Sequence, residues 1–238
     1  MKHLLLLLPS LLLGLLPAPG RAQTPASYRV VGDVRGLAEN AKVYLINGAE
    51  LRTIDSAAVR QGHFVLTGHL TEPAHMYLHA GKGRAAVKLA DILLDNRTVS
   101  VQGDQPAYDR ISVTGSDIDQ HWKDWYRADT DLGTQRAAVR RVAESLAQRQ
   151  DTANAAALRR VLTALQQSRV RLLKDYVARY HDTATGAMLP NLCTLGSVLT
   201  AADYQQMYQQ LTPLWQQSSF GRALLAQSRK GTTMPSGR

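Results

Sequence analysis

The hydrophobic and polar positions of this chain follow two periods, and the change falls near residue 115. From Tyr28 to about Thr114, short runs rich in Val, Ile, Leu and Tyr are separated by Gly, Asn, Asp and Pro, which is the pattern of strands joined by turns. It predicts strands over Tyr28–Val34, Lys42–Ile46, Thr53–Arg60, His63–Thr67, His75–Ala80, Ala86–Leu94, Thr98–Gln102 and Ile111–Thr114. Strands this short and regularly spaced make an antiparallel sandwich or open barrel. After Gly115 the composition shifts to Ala, Gln, Leu and Arg, with almost no Gly or Pro until Gly186. Ser116 is a helix N-cap, with Asp117 and Asp119 in the first turn where carboxylates suit the helix dipole. His121, Trp122, Trp125 and Tyr126 follow at helical spacing. Val139, Val142 and Leu146 recur at i, i+3, i+7, and Leu158, Leu162, Leu165, Leu172 and Tyr176 repeat with a gap at Arg169. These segments predict an antiparallel helix pair turning near Asp151 and Thr152. A last pair covers Ala201–Leu211 and Ser219–Gln227, divided at Pro213.

The fold class expected is therefore α+β, a β-sandwich or open barrel over residues 23–115 followed by a helical bundle over 116–228. A polar tail over 229–238, with Gly and Pro, is expected to be disordered.

The N-terminus reads as a secretion signal. Met1-Lys2-His3 is a short basic start, and Leu4 to Leu16 is an almost unbroken apolar run. It is shorter than the roughly 20 residues a bilayer span requires. Gly20 and Ala22 place small residues where a signal peptidase inspects them, so cleavage after Ala22 would expose Gln23. No cysteine follows the run to carry a lipid, and no later stretch approaches spanning length. The expectation is an exported protein, soluble in the periplasm or associated with the outer envelope, without a transmembrane anchor.

The formal net charge is +9, and removing Lys2 and Arg21 with the leader takes it to +7. The excess lies mostly in Arg136, Arg140, Arg141, Arg149, Arg159, Arg160, Arg169, Arg171, Lys174 and Arg179. In an exported protein such a stripe reads as the solvated face of helices rather than as a nucleic-acid surface.

The candidate chemistry is thin. In Asp55–Gly68, "DSAAVRQGHFVLTG", an aspartate, a serine and a histidine lie close in sequence. With Gln61-Gly62 as a two-residue turn, Arg60 opposes His63, Val59 opposes Phe64, Ala58 opposes Val65 and Ala57 opposes Leu66. Ala57, Val59, Phe64 and Leu66 then share a core face, and Asp55, Ser56 and His63 diverge, which denies a triad. His63, His69, His75 and His79 are the only metal-like cluster, but His75 and His79 lie about 13 Å apart along one strand. Gly81–Arg84, "GKGR", lacks the spacing of a phosphate loop and reads as a turn. Asp91, Asp95, Asp104 and Asp109 fall at strand ends and loops. The sequon Asn96-Arg97-Thr98 matters only under eukaryotic secretion. Trp122 and Trp125 read as packing residues. Cys193 is the single cysteine, so the chain has no C-x-x-C and no internal disulfide. It reads as a small buried residue, and it is the one candidate thiol contact.

The segment "YRVVGDVRGL … AKVYLIN … TIDSAAVRQGHFVLTGHLTEPAHMYL … RISVTGS" resembles the domain of unknown function 4369. That β-rich module stands at the N-terminus of many exported thiol-disulfide oxidoreductases of the TlpA/ResA-like thioredoxin type. The resemblance rests on Val43-Tyr44-Leu45, Asp55-Ser56 with Val59, Gly62 and Phe64, Gly68, Pro73, and Val113-Thr114-Gly115-Ser116. It covers Ser27 to Ser116. The helical half is similar to the connector that follows the module, notably in "SDIDQHWKDW" and "LTPLWQQSSFGRALL". The resemblance implies a thioredoxin-like domain beyond that last segment, and this sequence stops at Arg238 before any such domain. No catalytic residue carries over. The expectation is a non-enzymatic binding or scaffold protein of a bacterial envelope, without a cofactor, whose partner is an envelope or thioredoxin-like protein. The alternative is an accessory or truncated member of a thiol-disulfide oxidoreductase system, acting through Cys193.

Overall fold

The structure is a computed structural model, and it describes residues 27–230. The expected signal segment and the tail from 231 onward lie outside the described residues.

Among the described residues, eight strands form two four-stranded sheets. One has the order β4-β1-β7-β8 and is built from β1 (Tyr28–Val34), β4 (His63–Gly68), β7 (Thr98–Gly103) and β8 (Ile111–Thr114). The other has the order β3-β2-β5-β6 and is built from β2 (Lys42–Asn47), β3 (Arg52–Ala58), β5 (Ala74–Ala80) and β6 (Val87–Leu94). Alternation along each strand turns one set of side chains inward, so Val30, Phe64, Leu66, Val99 and Val101 of the first sheet meet Val43, Leu45, Met76, Leu78 and Ile92 of the second. The α+β class holds. Within it, β1 and β7 run parallel, not antiparallel as expected.

The Gln61-Gly62 turn forms with positive φ at both residues, 51° and 82°, as a tight hairpin turn requires. Arg60 and His63 pair across it, but the ladder ends there. β3 pairs with β2 and β4 with β1, so the expected hairpin is a corner between the edge strands of two sheets. At the other end of these edges, Asp55 accepts the N–H of Thr67 at 3.0 Å and so spans the gap with a side chain. Val59, Phe64 and Leu66 still enter the core, as the predicted facing required.

Six helices follow among the described residues: α1 (Asp117–Gln148), α2 (Thr152–Arg179), α3 (Ala184–Leu192), α4 (Ala201–Gln210), α5 (Pro213–Gln216) and α6 (Ser219–Lys230). Ser116 caps α1 by accepting the N–H of Asp119, and Asp151 caps α2 by accepting the N–H of Asn154. The long pair thus turns where expected. Its seam is made partly by the buried alanines Ala143 and Ala155, while Val142 is 53% exposed, so the heavier residue was the wrong guide to the facing. The gap at Arg169 is filled by a polar bridge: its guanidinium donates to both carboxylate oxygens of Asp129, at 2.7 and 2.6 Å, with both side chains largely buried. α3 falls where no helix was expected, and α6 runs to Lys230, two residues into the expected tail.

The helical half has its own core, in which Trp122 and Trp125 of α1 pack with Leu173, Val177, Met188 and Leu224. Leu93, on the outward face of β6, belongs to this second core. Two atoms fix that seam: the Asp119 carboxylate accepts the N–H of Leu93 at 2.9 Å, and the Ser116 hydroxyl donates to Leu93 O at 3.1 Å. No described helix is long and apolar enough to cross a membrane.

Candidate functional site

The outer face of the second sheet, where the helices cover it, gathers the polar chemistry of the molecule. Register sets Tyr77 opposite Asp91 and His75 opposite Leu93. Asp91 is a hub: Lys88 Nζ lies 2.7 Å from its Oδ2, the Tyr108 hydroxyl donates to Oδ2 at 2.8 Å, and His75 Nε2 lies 3.4 Å from Oδ1. Among the described residues neither His75 Nε2 nor Asp91 Oδ1 has a formed hydrogen bond, and the two buried atoms face each other at 3.4 Å. Lys88 also sits over the rings of Tyr77 and Tyr108, 4.7 and 5.1 Å from their centroids. The His75 ring is held edge-on against Tyr77 and Trp122.

Burial alone would raise the Asp91 pKa, but His75, Lys88 and Tyr108 outweigh it and hold the carboxyl at about 2, below its ordinary 3.8. Burial, followed by the Asp91 carboxylate itself, pushes the Tyr108 hydroxyl up. Because the folded pKa of Asp91 is depressed, its contribution to stability is present above about pH 4 and is lost as pH falls toward 2. Between those limits wild type should lose about 1–2 kcal/mol more than Asp91→Asn, after allowing for solvent at the open Tyr108 side. Urea midpoints across that range check this, and parallel acid limbs would refute the hub.

Beside this network lies a cleft of about 570 Å³ between the second sheet and the helices. Its apolar wall comes from Pro73, Tyr77, Met188, Leu192 and Phe220, and its polar rim from Asn47, Glu50, Thr71, Glu72, Asn191 and Ser219. His75 joins the wall. A Cβ added at Gly48 would stand 2.9 Å from His75 Nδ1, so Nδ1 faces the Gly48 backbone at the cleft while Nε2 faces Asp91. With Nε2 oriented by the carboxylate, the imidazole presents a positioned polar atom to whatever fills the cleft. Glu72 binds across the cleft as well, accepting the N–H of Ser219 at the start of α6. A second cavity, of about 460 Å³, lies on the other side of the Thr71–Pro73 loop against Asp95, Arg97, His121 and Trp215.

The residues singled out in the sequence are dispersed. His63 lies 3.7 Å from Asp33, both side chains exposed on the first sheet, His79 neighbours Tyr77, and His69 follows β4 in a loop. Among the described residues, no group of three or more His, Cys, Asp or Glu side chains is placed to hold a metal ion. Gly81–Arg84 is the β5–β6 turn, with positive φ at Gly81 and Gly83. Asn96 of the sequon is committed to the fold, exchanging two hydrogen bonds with the backbone of Leu70. Cys193 is half-buried; its thiol donates to Pro190 O at 3.3 Å, and burial pushes its pKa up, away from the reactive thiolate. His75 and Asp91 were both visible in the sequence, but their meeting depends on strand register.

No curated protein matches the chain. The family profile described as domain of unknown function matches residues 28–122, a span that runs past β8 to include the Ser116 and Asp119 contacts with Leu93. Over residues 28–122, from the first strand to the start of α1, the chain is similar to the DUF4369 domain.

Proposed function

We propose that this chain is an exported, non-enzymatic binding protein of the bacterial envelope that holds a cationic, partly apolar peptide segment in the cleft between sandwich and helices. The observation that carries the reading is the lining of that cleft. It joins an apolar wall to a rim whose charged groups are Glu50 and Glu72, with no Lys or Arg among its described residues. Binding clefts combine mostly apolar walls with a few placed polar groups, and His75 and Asn191 are such groups here. The leader-like start supports export, and association with envelope thioredoxin-like proteins follows the resemblance noted above.

Intact mass of the native protein from its own envelope tests export: a chain starting at Gln23 fits, and one retaining Met1 does not. For the cleft, the probe is a labelled peptide of alternating Lys and Leu, read by fluorescence anisotropy. Among the described residues the Glu50 side chain makes only a surface pair with Arg52, so Glu50→Lys should leave the fold intact and weaken the peptide about tenfold, or ~1.4 kcal/mol. Equal binding by the variant, or none by wild type, would remove the proposal.

A further inference from the structure

A second groove, of about 500 Å³, lies along α2 on the far side of the helical half, between Leu162–Arg171 and the segment around Val198. Its floor is apolar, with Leu162, Val170 and Val198, and Val198 is 41% exposed. Its charges are the reverse of those of the cleft. Arg136 and Arg171 line it without an ion pair among the described residues, and the acidic member, Asp203, is already taken by Lys174. Two buried donors behind its wall, Arg136 Nε and Gln166 Nε2, have no hydrogen-bond partner among the described residues. The basic character continues outward along the α1–α2 pair through Arg140, Arg141, Arg149, Arg159 and Arg160, past the Arg169–Asp129 bridge. This outer stretch from Asp129 to Gln148 extends about 28 Å at the helical rise, and the core residues of the helical half lie on the near side of it.

From this pairing of an apolar floor with two arginines that make no ion pair among the described residues, Arg171 donating only to the neutral Ser168 hydroxyl, we infer that the groove is a docking site for an acidic amphipathic helix of another protein. Such a helix presents apolar residues at i, i+3, i+4 and i+7 to Leu162, Val170 and Val198, and flanking carboxylates to Arg136 and Arg171. The length of the basic pair favours an elongated ligand over a small anion. The site is separate from the cleft and does not depend on what the cleft binds.

The test uses a fluorescein-labelled peptide of about 18 residues, long enough to be helical alone, built from Leu and Glu at amphipathic spacing, with a Leu and Lys counterpart. Anisotropy should show saturable binding of the Glu peptide that weakens as salt rises, and none of the Lys peptide. Arg136→Glu with Arg171→Glu should weaken it tenfold or more. Arg84→Glu with Arg110→Glu makes the same charge change on the sandwich and should leave it within twofold. Val198→Asp gives an independent loss from the apolar floor, and circular dichroism confirms that each variant is folded. Failure of the Glu peptide to bind, or equal weakening by both charge-reversed pairs, overturns the inference. Binding to phosphatidylglycerol vesicles but not to the peptide overturns it in favour of a membrane surface.

Discussion

Replacing Asp119 by alanine is expected to cost about 3 kcal/mol, because its carboxylate is fully buried and joins the two halves of the molecule. One oxygen accepts the N–H of Leu93 on β6, and the other lies 2.6 Å from Lys123 Nζ. Alanine leaves a buried strand N–H without an acceptor and removes the partner of Lys123. The hydroxyl of Ser116 still reaches Leu93 O, so the seam is loosened rather than abolished. Chemical denaturation measures the loss, and amide hydrogen exchange locates it: the Leu93 N–H should exchange faster while the inner strands β1 and β7 remain protected. A loss below about 1 kcal/mol would mean that the seam is held by Leu93 packing instead.

Asparagine at the same position separates the hydrogen bond from the charge. Its amide oxygen accepts from Leu93 as the carboxylate does, so Asp119→Asn should cost much less than alanine. The pH dependence has a definite sign. Burial pushes the folded pKa of Asp119 up, against the pull of Lys123, so its contribution is fully present below the unfolded value and is lost as pH rises through the folded one. Wild type should therefore lose its advantage over Asp119→Asn as pH rises. Asp91 runs the other way, because its three partners outweigh its burial, whereas at Asp119 burial outweighs the partners. The two carboxylates flank one sheet face, and their opposite slopes distinguish the seam from the hub.

The elements legible in the sequence are those that one local pattern decides. Ser116 and Asp151 announce the starts of α1 and α2, and the gap at Arg169 marks the position that meets Asp129. The turn at Gln61-Gly62 was equally local, but its ladder was not: each flanking strand had a better partner elsewhere, β2 for β3 and β1 for β4. The Asp91 hub needed still more. His75, Lys88 and Tyr108 come from two strands and a later loop, and the irregularity between Leu78 and His79 shifts which residues of β5 and β6 oppose each other. No spacing within the sequence encodes that register. The cleft follows from the packing of α3 and α6 against the sheet, and α3 carried no helical signal.

The reason α3 was silent makes it the most sensitive element to probe, and Gly186→Ala should destabilise the protein by about 3 kcal/mol or more. Every residue from Ala184 to Pro190 is buried, so no polar face alternates with an apolar one, and the period that reveals a helix is missing. Gly186 and Pro190 further disguise it, since both disfavour helix interiors. In the fold Gly186 has a specific purpose. A Cβ there would lie 2.3 Å from the carbonyl oxygen of Tyr180 and 2.7 Å from its carbonyl carbon, and both are backbone atoms that no rotamer change can move. Alanine must therefore push α3 away from the end of α2, by roughly an ångström to reach ordinary contact. That displacement falls on Met188 and Leu189, both in the second core, and Met188 also forms the cleft wall. For a chain of this size the cost corresponds to a melting temperature lower by about 6–12 °C. Thermal unfolding followed by circular dichroism measures it. The same variant should weaken binding in the cleft while leaving the α2 groove unaffected, because Leu162, Val170 and Val198 lie outside α3. A variant as stable as wild type would show that α2 and α3 are not in backbone contact at Gly186.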